Sequence, residues 1–308
     1  MSGPPMAGPI ERVVVPLDAA SESRTAIETA ARLAAHAKAP LHGVFVEDED
    51  LLHVASLPFA RQFTLGAHPE KLTTEHLELH LRVAAERARK EFFAAAKRHG
   101  VTGSFEIVRG ASESALTGAS EHDLVVACAL TRPIAGHFRL ECRWWSSLEA
   151  MPGPFLLARH VWSASGSVVM LLRDRSDASA RLLEAAAQIA HNADSRSAAG
   201  GGADRRGRDR RGRDRRGTDR RGAANLLTVI CLPAIAGKGF EKWIADRLAG
   251  HPVRLQIEIA PAEPAALHQR IGELDCRLLA IEAGSTEGRG DRLREFVERC
   301  GCDILMVR

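Results

Sequence analysis

The sequence predicts an α/β protein of two tandem, doubly wound domains, each with a five-stranded parallel sheet. Three observations carry this. Short apolar runs alternate with segments whose apolar residues recur at helical spacing, the pattern of strands joined by crossover helices. That alternation, β-α-β-α-β-α-β-α-β, begins again near residue 166. Each half opens on an apolar strand closed by an aspartate, Asp18 in the first and Asp174 in the second. A chain of 308 residues has room for about two domains of roughly 150 residues.

The elements follow in order. "RVVVPLD" (12–18) reads as the first strand. Ser21 is placed to cap the helix over 21–39, whose inward stripe is Ala26, Ala30, Leu33 and Ala37. "PLHGVFVED" (40–48) is the second strand. A long helix over about 72–99 carries Leu77, Leu81, Ala84, Ala88 and Phe92 three or four apart, and Gly100 closes it. Strand three is 103–110, a short helix 112–122, strand four 123–130 and strand five 152–161. The second half repeats the order with strands at 166–174, 225–233, 253–261, 276–284 and 302–308. Its helices fall at 176–193, 239–250, 263–274 and 291–301. The expected division is a flexible tail over 1–10, a first domain over 11–162 and a second over 166–308.

Composition narrows the function classes. At 45% hydrophobic and 26% charged residues, the chain can bury a core and stay soluble. No apolar run reaches the roughly 18 residues of a membrane span, and the N-terminus has no basic start followed by an apolar block. A cytoplasmic protein without membrane partners is the expectation. Six cysteines in so long a chain do not make a disulfide scaffold. Cys300 and Cys302 form a lone C-x-C, too few ligands for zinc, which takes about four, so no metal is expected there.

The basicity of the chain is local. Residues 203–222 repeat D-R-R-G-R/T and hold ten arginines and four aspartates. The whole-chain charge of +3, less this +6, leaves −3 for the rest. The tract lacks side chains to bury, so a disordered insertion over about 195–224 is expected inside the second domain. Ten arginines suit nucleic acid or another polyanion. The interleaved aspartates weaken that grip, and no aromatic residue is present for base stacking.

Two stretches, "RVVVPLDAASESRTAIETAARLA" and "GSFEIVRGASESALTGASEHDLVVACAL", together with "APLHGVFVED", resemble the universal stress protein family. The chain is similar to a tandem two-domain member, except in the N-terminal tail and the arginine tract. "CGCDILMVR" resembles the family's closing strand. The resemblance implies a Rossmann-like sheet of order 3-2-1-4-5. It also implies pairing of the two domains through their fifth strands, an internal pseudo-dimer. That order puts the switch point between strands one and four, where open α/β sheets bind ligands.

Nucleotide-binding members carry an acid after strand one, a valine on strand two and a G-x2-G-x9-G-[ST] loop after strand four. Asp18 matches the acid and Val46 the valine. The loop keeps its length from Asp123 to Arg159, but its glycine positions fall on Thr131, Ile134 and Glu141, and its hydroxyl on Cys142. A phosphate cradle needs close backbone approach, which Ile134 obstructs, and Pro133 removes a donor. Glu141 brings negative charge, and Arg132 and His137 do not rebuild the cradle. The crevice of Asp18, Val46, Thr131, Arg132, Ile134 and Glu141 therefore reads as vestigial. In the second half Asp174 keeps the acid, while Gly284, Gly288 and Gly290 have the wrong spacing and Glu282, Glu287 and Asp291 oppose phosphate.

Nothing marks a catalytic nucleophile: there is no G-x-S-x-G. His76 and His80, four apart, read as a solvated helix face rather than a metal pair. Trp144 and Trp145 read as packing residues. Asp48, Glu49 and Asp50 are placed to cap a helical turn, and Leu51, Leu52, Val54, Leu57 and Phe59 to form a packed cover over the crevice. The expectation is thus a non-enzymatic stress-response protein acting by binding or regulation, with no cofactor and no family-type ATP binding. Its partners would be its own second domain, a further copy or another protein. Two other readings stay open: an ATP- or AMP-responsive sensor with a remodelled crevice, and a polyanion-binding module acting through 203–222.

Overall fold

A computed structural model describes residues 10–19, 23–62, 70–111, 118–128, 151–162, 167–191, 226–251, 253–261, 263–282 and 300–307. It also describes positions 114 and 116 and the backbone of 133–134 and 138–139. The chain divides into two compact units, one drawn from Met1–Trp162 with Ala283–Arg308 and one from Ser163–Glu282.

In unit 1 the first strand, β1 (Arg12–Leu17), is buried from Val13 to Leu17. A run buried on both faces is what helices on either side of a parallel sheet require. Helix α1 (Ser23–Ala37) leads to β2 (Leu41–Asp48), and α2 (Glu49–Ser56) follows at once. A two-residue ladder of β3 (Arg61–Gln62) and β4 (Glu70–Lys71) precedes α3 (Thr74–His99). The chain continues through β5 (Gly103–Gly110) and β6 (Asp123–Cys128). A second small antiparallel ladder joins β7 (Pro133–Ile134) and β8 (Phe138–Arg139), and β9 (Phe155–Ala158) completes the first half. The parallel order β5-β2-β1-β6-β9 is the 3-2-1-4-5 arrangement that the resemblance implies.

Local chemistry fixes these pieces. The Asp48 carboxylate accepts the N–H groups of Asp50 (2.9 Å) and Leu51 (3.4 Å), so strand β2 turns directly into α2. Helix α3 ends at Gly100, whose φ of 67° is a left-handed conformation that glycine adopts without strain. Its buried stripe runs Leu81, Ala85, Ala88, Phe92, Ala95 and Ala96. Ala85 replaces the expected Ala84, since a step of three or four residues leaves either on the inner face. Phe92 lies so close on the sheet that a Cβ at Gly43 would stand 2.8 Å from its ring. Glycine at 43 is therefore what lets α3 seat. Glu28 of α1 contacts His99 Nε2 (2.9 Å) and Arg98 (2.9 Å), tying α1 to the end of α3.

The expected cover is not packed. Leu51, Val54, Leu57 and Phe59 are 38%, 48%, 40% and 75% exposed. The cap at Asp48 fixes how α2 is rotated, and it is Ala55 that turns inward.

Unit 2 contains β10 (Ser167–Leu172), α4 (Asp177–His191), β11 (Leu226–Cys231), α5 (Phe240–Leu248), β12 (Arg254–Ile259), α6 (Pro264–Glu273) and β13 (Cys276–Glu282). Its strands run parallel in the order β12-β11-β10-β13, the 3-2-1-4 portion of the same arrangement. The closing strand β14 (Asp303–Val307) lies antiparallel on β9, with Ile304 opposite Leu157 and Met306 opposite Phe155. This is the pairing of fifth strands that the resemblance implies, and it groups β14 with unit 1. The arginine tract lies outside the described residues. No helix among those described is long and apolar enough to cross a membrane.

Candidate functional site

Each unit has its switch point beside its first strand. In unit 1 the chain leaves β1 for β2 on one side and finds β6 on the other. Asp18 stands half-buried just past the end of β1. Val46, on β2, is 2% exposed and lies beside Val108 of β5. Parallel register sets Leu17 beside Phe45, so Asp18 and Val46 come to the same sheet edge. With that side chain buried, the backbone of β2 is what position 46 offers a ligand.

The remaining residues expected around this crevice are less fully placed. Thr131, Arg132 and Glu141 lie outside the described residues, as do Cys142, Trp144 and Trp145. Ile134 is described by its backbone, which faces Phe138 across the β7–β8 ladder. Three residues separate these strands in sequence, with Gly136 in the middle. A three-residue connection containing glycine is a hairpin signal. Gly136 itself lies outside the described residues, but its place in the sequence between two paired strands is a hairpin signal that the sequence analysis missed.

The switch point of unit 2 is described more completely. Asp174 follows β10, and Glu282 ends β13. Between them stand two serines at the start of α4. The Ser179 hydroxyl is 3.0 Å from Asp174 Oδ1 and 3.2 Å from Glu282 Oε2. The Ser176 hydroxyl is 3.5 Å from Glu282 Oε1 and accepts the Ser179 N–H at 3.1 Å. Asp174 Oδ1 also accepts the Ser176 N–H at 2.8 Å. Hydrogen bonds from Ser176, side chain and backbone, hold the Asp174 carboxyl below its usual range, with burial working weakly the other way and Ser179 adding to the effect.

This arrangement has an electrostatic consequence. A hydroxyl has one proton to donate, so Ser179 cannot satisfy both carboxylates at once. Asp174 matches the acid expected after the first strand, whereas Glu282 stands at the end of the unit's fourth strand, where a nucleotide-binding sheet would present donors to phosphate. Sequence reasoning identified Asp174 and Glu282 as acids but not the serines that join them. The available signal was Ser176 with a second serine three residues on, an N-cap spacing.

His76 and His80 are both exposed on α3. Among the described residues no three His, Cys, Asp or Glu side chains gather into a metal cluster.

The fold is similar to that of a universal stress protein from Archaeoglobus fulgidus, with a TM-score of 0.61 at 12% identity, covering 96% of this chain and 95% of that one. The universal stress protein UspA from Lactobacillus plantarum is 18% identical, with a TM-score of 0.37, over 49% of this chain and 99% of that one. No protein-family model and no curated protein matches the chain.

Proposed function

We propose that the chain is a tandem universal-stress-type protein that acts by binding or regulation rather than turnover, without the family's ATP cradle. The observation that carries this reading is the convergence of Asp174 and Glu282 on the Ser179 hydroxyl, at 3.0 and 3.2 Å, in the switch point of unit 2. Asp174 is an acid that nucleotide-binding members also carry, but a triphosphate entering there would meet the Glu282 carboxylate as well, and like charges at close range cost binding free energy. In unit 1 the reading is supported by Ile134 and Glu141 at phosphate-loop glycine positions and by the antiparallel pairing of 133–134 with 138–139. A cytoplasmic, regulatory role suits a chain without a recognisable nucleophile motif.

Isothermal titration of the full chain with ATP and Mg²⁺ tests it. The expected result is no saturable heat at micromolar nucleotide. Micromolar binding would replace this reading with that of a nucleotide-responsive sensor. Glycine at 134 and 141 should then be introduced together: if the parent binds as well as that variant, the loop argument is wrong.

A further inference from the structure

Strand β12 (Arg254–Ile259) is the edge of the unit 2 sheet, and among the described residues it pairs with β11 alone. Cys231 of β11 stands beside Ile259, and its carbonyl accepts the Ala260 N–H at 2.7 Å. Backbone groups alternate along a strand, so Arg254, Gln256 and Glu258 address β11 through theirs, while Leu255, Ile257 and Ile259 turn theirs outward. The side chains of Leu255 and Ile259 are 38% and 62% exposed. On the other face of the strand Arg254 is exposed and forms no ion pair among the described residues. Glu258, on that same face, accepts Arg270 of α6 (2.8 and 2.7 Å) and the Gln256 amide (2.7 Å).

We propose that β12 is a dimerisation edge, pairing antiparallel with β12 of a second copy of this chain about a two-fold axis at Gln256. The run R-L-Q-I-E over 254–258 is complementary to its own reverse. The axis sets Arg254 opposite Glu258, Leu255 opposite Ile257 and Gln256 opposite itself, and each unlike pair occurs twice. The backbone suits this register. Leu255 and Ile257, whose N–H and C=O groups point outward, become the hydrogen-bonded pairs, and Gln256, whose groups serve β11, falls at a non-hydrogen-bonded position. Opposite charges and apolar side chains directly across such a ladder stabilise it. Charges ordinarily keep a sheet edge from pairing. Here their signs attract across the axis, and the Glu258 carboxylate has lone pairs left for a second guanidinium beside Arg270. A contact of this isologous kind closes at two copies. The edge strand of unit 1, β5, lacks the property. A two-fold at Glu106 opposes two glutamates, and one at Ile107 sets Arg109 against Phe105. Its charges are also engaged within the sheet, Glu106 with His42 and Arg109 with Glu47.

Sedimentation equilibrium of the full chain over a concentration series reads the contact directly. The wild type should follow a monomer–dimer equilibrium. Arg254→Glu and Glu258→Lys should each raise the dimer Kd about tenfold or more, because both ionic pairs become like-charge pairs. Mixed in equal amounts, these two variants should dimerise with each other as the wild type does, since opposite charges then meet at both crossings. Ile257→Pro removes an outward N–H without touching the ladder to β11 and should also leave monomer. Glu106→Arg, on β5, should change nothing. A wild type that stays monomeric to about 1 mM overturns the proposal. So does an unchanged Kd in Arg254→Glu, or a mixture of the two folded charge variants that fails to recover the dimer. Growth beyond two copies that Glu106→Arg stops would show β12 pairing with β5 instead, and overturns it as well. If Glu258→Lys does not fold, because it sets like charges beside Arg270, the other two variants decide: wild-type association in either one rules the contact out.

Discussion

Between β1 and β6 the amino ends of the central strands are held by an ion pair; between β10 and β13 the same join is held by a serine. In unit 1, Arg12 meets buried Asp123 through Nε–Oδ1 (3.0 Å) and Nη2–Oδ2 (2.6 Å), and Asp123 also accepts the Ser120 N–H at 2.7 Å. In unit 2, the Ser167 hydroxyl lies 2.7 Å from the Leu274 carbonyl and 2.9 Å from that of Asp275, and the ladder shifts register between Ser167 and Val168. The carboxyl ends differ as well: Asp18 stands there in unit 1, the Asp174–Ser179–Glu282 cluster in unit 2. The strands themselves are alike because burial between helices demands apolar runs. The ends of the central ladder, where the chain turns, are where the two copies diverge.

The ionic clasp should be the larger contributor. Arg12→Ala leaves the Asp123 carboxylate, 3% exposed, with Ser120, through backbone and side chain, as its remaining partner among the described residues. Breaking a buried pair costs about 3–5 kcal/mol, and the 35% exposure of Arg12 reduces the expected loss to about 2 kcal/mol in urea unfolding. Arg12→Lys should recover part of it, since the forked contact becomes a single one. Burial pushes the Asp123 pKa up, but the bonds from Arg12 and Ser120 outweigh it and hold the carboxyl below its usual range. The folded pKa is therefore the lower one. The stabilisation is present above the ordinary carboxylate range and is lost as pH falls through the depressed value. Asp123→Asn should flatten that acid limb. A loss below about 0.5 kcal/mol for Arg12→Ala would mean the pair contributes no more than a surface ion pair.

Ser167→Ala is the matching change in unit 2, with an expected loss of about 1 kcal/mol for one neutral hydrogen bond. Its effect should be local. Asp275, whose carbonyl faces the Ser167 hydroxyl, has a φ of 48°, a left-handed turn that an aspartate holds at some cost. Freed of the serine, this turn should loosen the start of β13. Hydrogen exchange at Cys276–Glu282 should rise while β1 and β6 stay protected. Equal loss of protection in both units would show that the two clasps are not independent.

Much of this comparison was legible beforehand, for physical reasons that differ by residue. Val13 to Leu17 and Val168 to Met170 announce themselves as strands because a buried parallel strand is a continuous apolar run. Gly100 and Asp48 are local signals: a cap is satisfied within a few residues, so its chemistry is written beside it. Arg12 and Asp123 are 111 residues apart, and no periodicity links them; the pair exists because strand order 2-1-4 lays β6 beside β1. That order came from the resemblance. The outward turn of Leu51 and Val54 was not legible either, because an eight-residue helix with apolar residues on several faces does not say which face packs. The serines at 176 and 179 were hidden for a third reason: they read as an ordinary helix start until β13 places Glu282 opposite them.

Ser176→Ala tests that last cluster, and its effect on stability should be the smallest of these. Ser176 is the principal reason the Asp174 carboxyl is held below its usual range. Removing the hydroxyl leaves the backbone N–H bond of 2.8 Å in place, so the Asp174 pKa should rise only part of the way back. It also removes the acceptor for the Ser179 N–H, an N-cap bond whose loss costs as little as about 0.5 kcal/mol. A depressed aspartate pKa gives stability above the ordinary carboxylate range that fades as pH falls through the folded value; in the variant that fading should begin at higher pH. Carboxyl carbon titration by NMR, with Ser167→Ala as the reference, separates the two ends of the central ladder. If the Asp174 titration is unmoved in Ser176→Ala, the two carboxylates are not joined through the serines. Unit 2 would then differ from unit 1 at the amino end of its central strands alone.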